Sequence, residues 1–259
     1  MEVQRIMLRI DYLEFWATKH CNLNCKGCSS CSPIQEEWYL NSETIKKDLN
    51  RLKTLQIMID NINILGGEPL LHPHIDNLFC IVKQAFPNCN LGLLTNGLLL
   101  RNMGNDFWKS CVKNKVTLKI TCFPVFSGQD IEAIVHLLEQ RGVKYHLTRK
   151  VRFNKILMEN NPSKIDEIIK ACGCNHAYNL YNGYVSRCTV PMITEKFNSK
   201  FGTQLITEGK LNIYDATAEK ILDFLSKPNN SCLNCSAHPQ KVVWEKSEKN
   251  PSKEDWLIG

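Results

Sequence analysis

Apolar positions recur along the first 150 residues in two alternating rhythms. Tyr12 to Lys19 is aromatic and apolar, as a buried strand would be, and it runs straight into a cysteine-rich loop. Behind Ser42, a predicted N-cap, Ile45, Leu49, Leu52 and Leu55 repeat at helical spacing. The short apolar run Ile62, Ile64 and Leu65 follows and ends at Gly66-Gly67, so the order is helix, strand, glycine turn. The cycle repeats with Ile75, Leu78, Phe79 and Val82 as a helix face and Leu91 to Leu94 as a strand stopped by Thr95-Asn96-Gly97. Phe107, Trp108, Cys111 and Val112 predict another helix, and Val116 to Thr121, Ile131 to Leu138 and Val143 to Leu147 continue the alternation.

Short strands separated by helices of roughly ten to fifteen residues predict a parallel sheet with crossover helices, because parallel neighbours cannot be joined by a hairpin. Five such strands precede residue 150. A full eight-stranded barrel needs about 250 residues, so the expected fold class is α/β, a partial (β/α)6 TIM-like barrel. Chemistry in such barrels collects at the C-terminal ends of the strands, where this chain places His20-Cys21, Gly66 to Pro69, Thr95-Asn96 and Thr121 to Phe123. Past about residue 155 the alternation stops. Asn160-Asn161-Pro162 is a turn signal, Ile165 to Ile169 a short helix, and Tyr178 to Val185 reads as a hairpin. The expected division is a barrel over 1–158 and a small, cysteine-rich α+β domain over 159–259.

Composition narrows the class. Of 259 residues 43% are apolar, enough for a sizeable core and against disorder. No apolar stretch reaches the 18 residues of a membrane span, and MEVQRIMLRIDYLEFW carries charges where a signal peptide would be apolar. A cytoplasmic protein without a membrane partner is expected. Lys and Arg exceed Asp and Glu by 32 to 26, but they are scattered among acids, so no nucleic-acid partner is expected and an anionic small substrate is allowed.

Thirteen cysteines change the picture, because a chain of this size without a secretion signal points to metal or redox chemistry rather than a disulfide scaffold. Cys21, Cys25, Cys28 and Cys31 crowd one loop. Cys172, Cys174, Cys188, Cys232 and Cys235 form a second group, and Cys80, Cys89, Cys111 and Cys122 are isolated. The first group has the spacing C-x3-C-x2-C, in which three thiolates can hold a cubic iron–sulfur cluster with its fourth iron open. Structural zinc is the alternative, with Cys31 or His20 as fourth ligand.

This C-x3-C-x2-C after the first strand, followed by Gly66-Gly67-Glu68-Pro69 after the second, resembles the radical SAM superfamily. The resemblance implies that Cys21, Cys25 and Cys28 ligate a [4Fe–4S] cluster whose open iron chelates S-adenosylmethionine. One electron would then split the sulfonium to a 5′-deoxyadenosyl radical, which abstracts a substrate hydrogen atom. It further implies that the backbone edge of Gly66, Gly67, Glu68 and Pro69 binds the methionine amine, and that Thr95 and Asn96 side chains approach the ribose. The glycines would let backbone approach the cofactor closely. Many members carry an aromatic residue just before the third cysteine, whose backbone meets adenine; here it is Gly27. An external reductant such as flavodoxin or ferredoxin is implied as partner.

Cys172, Gly183, Cys188, Cys232 and Cys235 follow the spacing C-x10-G-x4-C, then C-x2-C, which resembles the twitch domain, a short holder of one auxiliary [4Fe–4S] cluster. Cys172 fits the longer spacing to Gly183, with Cys174 as its alternative. Zinc on four thiolates is the competing reading of the residues. The ending also resembles a branch of the superfamily with a tail that carries Trp244 and Ser247. Among the remaining cysteines Cys122 ends a predicted barrel strand and could face substrate, whereas Cys31 reads as a buried apolar residue or, more sharply, a hydrogen donor. Arg149 and Lys150, just past the fifth strand, read as a solvated pair or as a carboxylate partner. His72, His74 and His146 read as structural.

Three functions compete. The first is oxidation or rearrangement of a small polar molecule such as a sugar or aminocyclitol, with the second cluster taking an electron. The second is maturation of a ribosomally made peptide by crosslinking or epimerisation. A fused peptide-recognition domain is disfavoured because the cysteine motif begins at residue 21. The third is a non-catalytic iron–sulfur or zinc protein, against which the Gly66 to Pro69 turn argues.

Overall fold

The structure is a computed structural model that describes residues 8–259. Residues 1–7, which carry part of the charged N-terminal run, lie outside the described residues. The first half builds β1 (Arg9–Thr18), α1 (Ser42–Thr54), β2 (Met58–Gly66), α2 (Ile75–Ala85), β3 (Asn90–Thr95), α3 (Asn105–Lys113), β4 (Thr117–Cys122), α4 (Gly128–Arg141) and β5 (Lys144–Arg149). The second builds β6 (Arg152–Leu157), α5 (Ile165–Ala171), β7 (Tyr178–Tyr181), β8 (Tyr184–Ser186), α6 (Val190–Phe201), β9 (Lys210–Asn212), α7 (Ala218–Ser226) and β10 (Cys235–Val243).

The sequence rhythm is reproduced for the first five strands, which pair in parallel in the order β5-β4-β3-β2-β1. Alternate residues of these strands face opposite sides. Leu13, Phe15 and Ala17, Ile62 and Ile64, Leu91 and Leu93, and Leu118 and Ile120 pack in one core with Ile45, Leu49 and Leu52 of α1 and Leu78, Phe79 and Val82 of α2. Each such buried aliphatic or aromatic side chain contributes about 1.5–3 kcal/mol. Asn41, not Ser42, caps α1: its side chain accepts from the backbone N–H groups of Glu43 and Thr44. Val112, read as part of a helix face, is exposed on α3.

The partial TIM-like barrel has six parallel strands, but the sixth does not follow β5. After Arg149 the chain turns directly into β6, which leaves the sheet to pair antiparallel with β10. The sixth parallel strand is β7, docked on the far edge of β1 with Leu13 opposite Tyr178. β7 returns as β8 through Asn182 and Gly183, both at positive φ (46° and 77°), which suits a two-residue hairpin turn. β9 closes that edge, so residues beyond 158 extend the barrel's own sheet.

Candidate active site

With Leu13, Phe15 and Ala17 turned to the helices, the alternate residues of β1 face the barrel interior. Glu14 is among them, and it is 7% exposed. It lines a cavity of about 250 Å³ at the strand ends together with Cys21, Cys25, Cys28, Gly66, Gly67, Thr95, Asn96, Thr121, Phe123, Lys150, Phe153 and Thr189. The three thiols of the first motif and the ends of β2 and β3 therefore share one chamber. A second cavity, of about 350 Å³, is lined by Gly27, Ser29, Lys150, Arg152, Phe153, Cys172, Cys174, Cys188 and Cys235. The two adjoin at Ser29, Lys150 and Phe153.

The environment of the first thiols suits a thiolate-bound cluster. Trp244 Nε1 donates to Cys25 Sγ at 3.1 Å, Leu23 N to Cys21 Sγ at 3.4 Å and Asn96 Nδ2 to Cys21 Sγ at 3.7 Å. Such N–H donors stabilise charge on ligand sulfurs. Burial pushes the Cys25 thiol up to about 12 and the Cys21 thiol up to about 11, against the pull of those donors. A metal has to displace these protons on binding. The second group also converges: Cys172, Cys174, Cys188, Cys232 and Cys235 line one small apolar pocket. Burial raises the Cys188 thiol to about 12 and raises the Cys235 thiol as well, and neighbouring sulfurs reinforce both shifts. Cys172 and Cys174 both line this pocket, so the fold brings the two alternatives to the same place. Among the described residues no three His, Cys, Asp or Glu side chains meet at a point where a single ion would sit.

The strand β6 connects the two groups. Phe153 packs with Leu23 and Cys25, while Leu157, four residues on, lies opposite Cys235. At about 3.3 Å per residue Phe153 and Leu157 stand ~13 Å apart along the strand, one at each cysteine group.

Several expected site residues have other roles. Glu68 is fully buried, and its carboxylate accepts from Thr95 Oγ1 (2.6 Å), Asn96 N (2.8 Å) and Leu70 N (3.0 Å). Its side chain thus braces the ends of β2 and β3 rather than a cofactor, and burial raises it to about 7. Pro69 is buried in the short turn that follows. Thr95 gives its hydroxyl to that brace, and Asn96 Nδ2 donates to Asn22 Oδ1 at 2.8 Å, so Asn96 holds the cysteine loop and both residues line the chamber. Gly27 lies on the wall of the second cavity, not of the first. Cys31 is 0% exposed and packs with Trp16, Ile34 and Leu65, which leaves it no access to substrate. Cys122 belongs to the core on the helix side of β4, and Thr121 is the residue that faces the chamber. His72 is buried with Nε2 3.0 Å from the Leu40 carbonyl, a structural position.

The glycine pair also has a different cause. A Cβ on Gly66 would stand 2.2 Å from the Thr18 carbonyl oxygen, and one on Gly67 would stand 2.0 Å from that of His20. Glycine is required here by the close pass of β1's end, which carries the cysteine loop. Gly67→Val is therefore expected to cost the first site its iron, not only its cofactor affinity, while the second site keeps its metal. Iron content measured beside equilibrium binding of S-adenosylmethionine checks this, and full iron with lost affinity would restore the cofactor-approach reading.

Four contributors were not singled out from sequence: Glu14, Thr189, Phe153 and the contact of Trp244 with Cys25. Lys150 was considered only beside a solvated alternative. It lines both cavities, and its ammonium lies 4.5 Å from the centre of the Phe153 ring.

A parallel α/β barrel, cysteines on the loop after its first strand and a glycine turn after its second together define the class. Residues 17–123 match the Radical SAM superfamily, and the chain carries a radical SAM domain. Among curated proteins it is 27% identical over 209 residues to the GTP 3′,8-cyclase of Helicobacter pylori (strain ATCC 700392 / 26695), covering 73% of this chain and 64% of that one. It is 32% identical over 171 residues to the GTP 3′,8-cyclase of Aliarcobacter butzleri (strain RM4018), covering 63% and 52%. The matches thus span about half to two thirds of those relatives' length. Among solved structures, native anSMEcpe with bound AdoMet superposes with a TM-score of 0.57 at 13% identity, covering 86% of this chain and 82% of that one. BtrN in complex with AdoMet and 2-DOIA gives 0.56 at 15%, covering 86% and 84%. These likenesses establish the shared fold. No described helix is long and apolar enough to cross a membrane.

Proposed function

We propose that this chain is a radical SAM enzyme that abstracts a hydrogen atom from a small polar substrate of the sugar or aminocyclitol class, with a second [4Fe–4S] cluster at Cys188, Cys232, Cys235 and Cys172 or Cys174 assisting oxidation or rearrangement. The observation that carries this reading is the pair of adjoining cavities, one on each cysteine group, with Lys150 and Phe153 on both walls. The chemistry supplied at Cys21, Cys25 and Cys28 is reductive cleavage of S-adenosylmethionine to a 5′-deoxyadenosyl radical, driven by an external reductant such as flavodoxin or ferredoxin.

The chain's own residues do the rest. Phe123 and Phe153 stack with ring centres 5.8 Å apart and form an apolar wall of the chamber. Lys150 attracts an anionic or hydroxyl-rich end of the substrate. Glu14 accepts from Asn179 Nδ2 at 2.9 Å and Tyr12 Oη at 3.0 Å, and burial raises its carboxyl to about 7, a range suited to a general base. In an oxidation of C–H and O–H to C=O, the carbon's hydrogen atom goes to the deoxyadenosyl radical and the hydroxyl proton to Glu14. A [4Fe–4S] cluster held by Cys188, Cys232, Cys235 and Cys172 or Cys174 would supply the acceptor for the remaining electron.

The named activity of the curated relatives favours a second reading, cyclisation of a purine nucleoside triphosphate. Against it, Lys150 and Arg152 are the cations lining the two cavities, too few to neutralise a triphosphate, and Glu14 adds a negative charge. The test is anaerobic turnover of the reconstituted protein with dithionite, S-adenosylmethionine and a panel of sugars, aminocyclitols, peptides and GTP. The proposal expects a sugar or aminocyclitol to stimulate 5′-deoxyadenosine formation in step with an oxidised or rearranged product. Stimulation by GTP with a cyclised product would replace it.

A further inference from the structure

The segment after β10 folds back onto the first cysteine loop. Lys26 N donates to the Glu245 carbonyl at 3.0 Å and Ser247 N to the Asn24 carbonyl at 2.6 Å, and Cys25 bridges Lys246 antiparallel. Lys26 Nζ pairs with Glu245 at 3.0 Å. Two indoles finish the clasp from opposite ends: Trp256 Nε1 donates to the Cys28 carbonyl at 2.9 Å, and Trp244 Nε1 donates to the Cys25 sulfur itself at 3.1 Å. The Trp244 ring is held 6.0 Å from that of Phe123, so its N–H is aimed by packing as well as by the backbone of the tail.

We propose that Trp244 is a positioning residue that sets the reduction potential of the first site by hydrogen bonding to the Cys25 thiolate; this rests on the reading of Cys21, Cys25 and Cys28 as cluster ligands. The physical reason is charge. Reduction adds one electron, whose density spreads onto the ligand sulfurs, and an N–H···S bond is stronger to the more negative sulfur. The bond therefore favours the reduced state, and its loss lowers the potential. The tail begins at the second cysteine group, since β10 opens with Cys235, so one stretch of chain ties both sites together.

The test uses the full chain with both sites reconstituted and an EPR-monitored potentiometric titration without substrate. In Trp244→Phe, which keeps an aromatic ring and removes the N–H, the ratio of reduced to oxidised cluster at fixed potential is expected to fall about tenfold, equivalent to about 59 mV for one electron. Trp256→Phe, which removes an equally placed tail bond that ends on a carbonyl, should change the ratio less than threefold. An unchanged potential in Trp244→Phe, or equal shifts in both variants, would overturn the proposal and leave the tail a packing role. A second readout covers the case in which Trp244→Phe fails to hold iron. In wild-type protein labelled with 15N-indole tryptophan, the reduced first site should show hyperfine coupling to an indole nitrogen, and absence of that coupling also overturns the proposal. Failure of wild-type protein to assemble any cluster at the first site would refute the underlying reading itself, a result distinct from an intact cluster with an unmoved potential.

Discussion

Alanine at Cys21, Cys25 and Cys28 together is expected to leave about four of eight irons and to abolish reductive cleavage of S-adenosylmethionine. All three thiols line the one chamber that also contains the ends of β2 and β3. Cys31, the nearest cysteine in sequence, is fully buried against Trp16, Ile34 and Leu65 and is not part of the chamber lining. The barrel's main core does not include the three thiols, so the fold and the second site should persist. Iron and sulfide assays beside a 5′-deoxyadenosine assay decide it. Full iron, or normal cleavage, would remove the assignment of this loop as the cofactor site.

The second large effect is expected at the other end of β6. Replacing Cys232 and Cys235 by alanine should abolish net product while some 5′-deoxyadenosine still forms, because hydrogen abstraction depends on the first chamber alone. On the proposed function, what fails is removal of the last substrate electron, which a cluster on the second group would accept. Cys235 is half-buried and lines the pocket with the other sulfurs, so its loss opens the pocket directly. Retained iron at the first site shows that the fold survives. Product formation at the wild-type rate would mean that the second group is structural and that the chemistry is redox-neutral.

The barrel half was legible because its strands are short apolar runs between amphipathic helices, and both patterns depend on neighbours in sequence. The place of the sixth strand was not, since pairing of β7 with β1 joins residues about 165 apart, as between Glu14 and Asn179. Cys122 illustrates the period-two rule: the strand end was placed correctly, but one residue decides which side faces the chamber, and that residue is Thr121. Glu68 stands in a motif whose backbone is expected to face the cofactor, and sequence alone does not show that its side chain turns inward to brace β2 against β3. A signal for Glu14 exists: it is the one charge between Tyr12 and Thr18, where β1 is otherwise largely apolar and aromatic. For the bond from Trp244 to Cys25 there was none, because 219 residues separate the partners and only the folded tail brings them together.

The measurement that bears most directly on the two-site account is metal analysis of anaerobically prepared full-length protein, with Mössbauer spectroscopy to identify the clusters. The account predicts about eight irons per chain in two cubane clusters, and no stoichiometric zinc. About four irons with one zinc would contradict it: zinc has no redox change, so an electron could not leave through the second site.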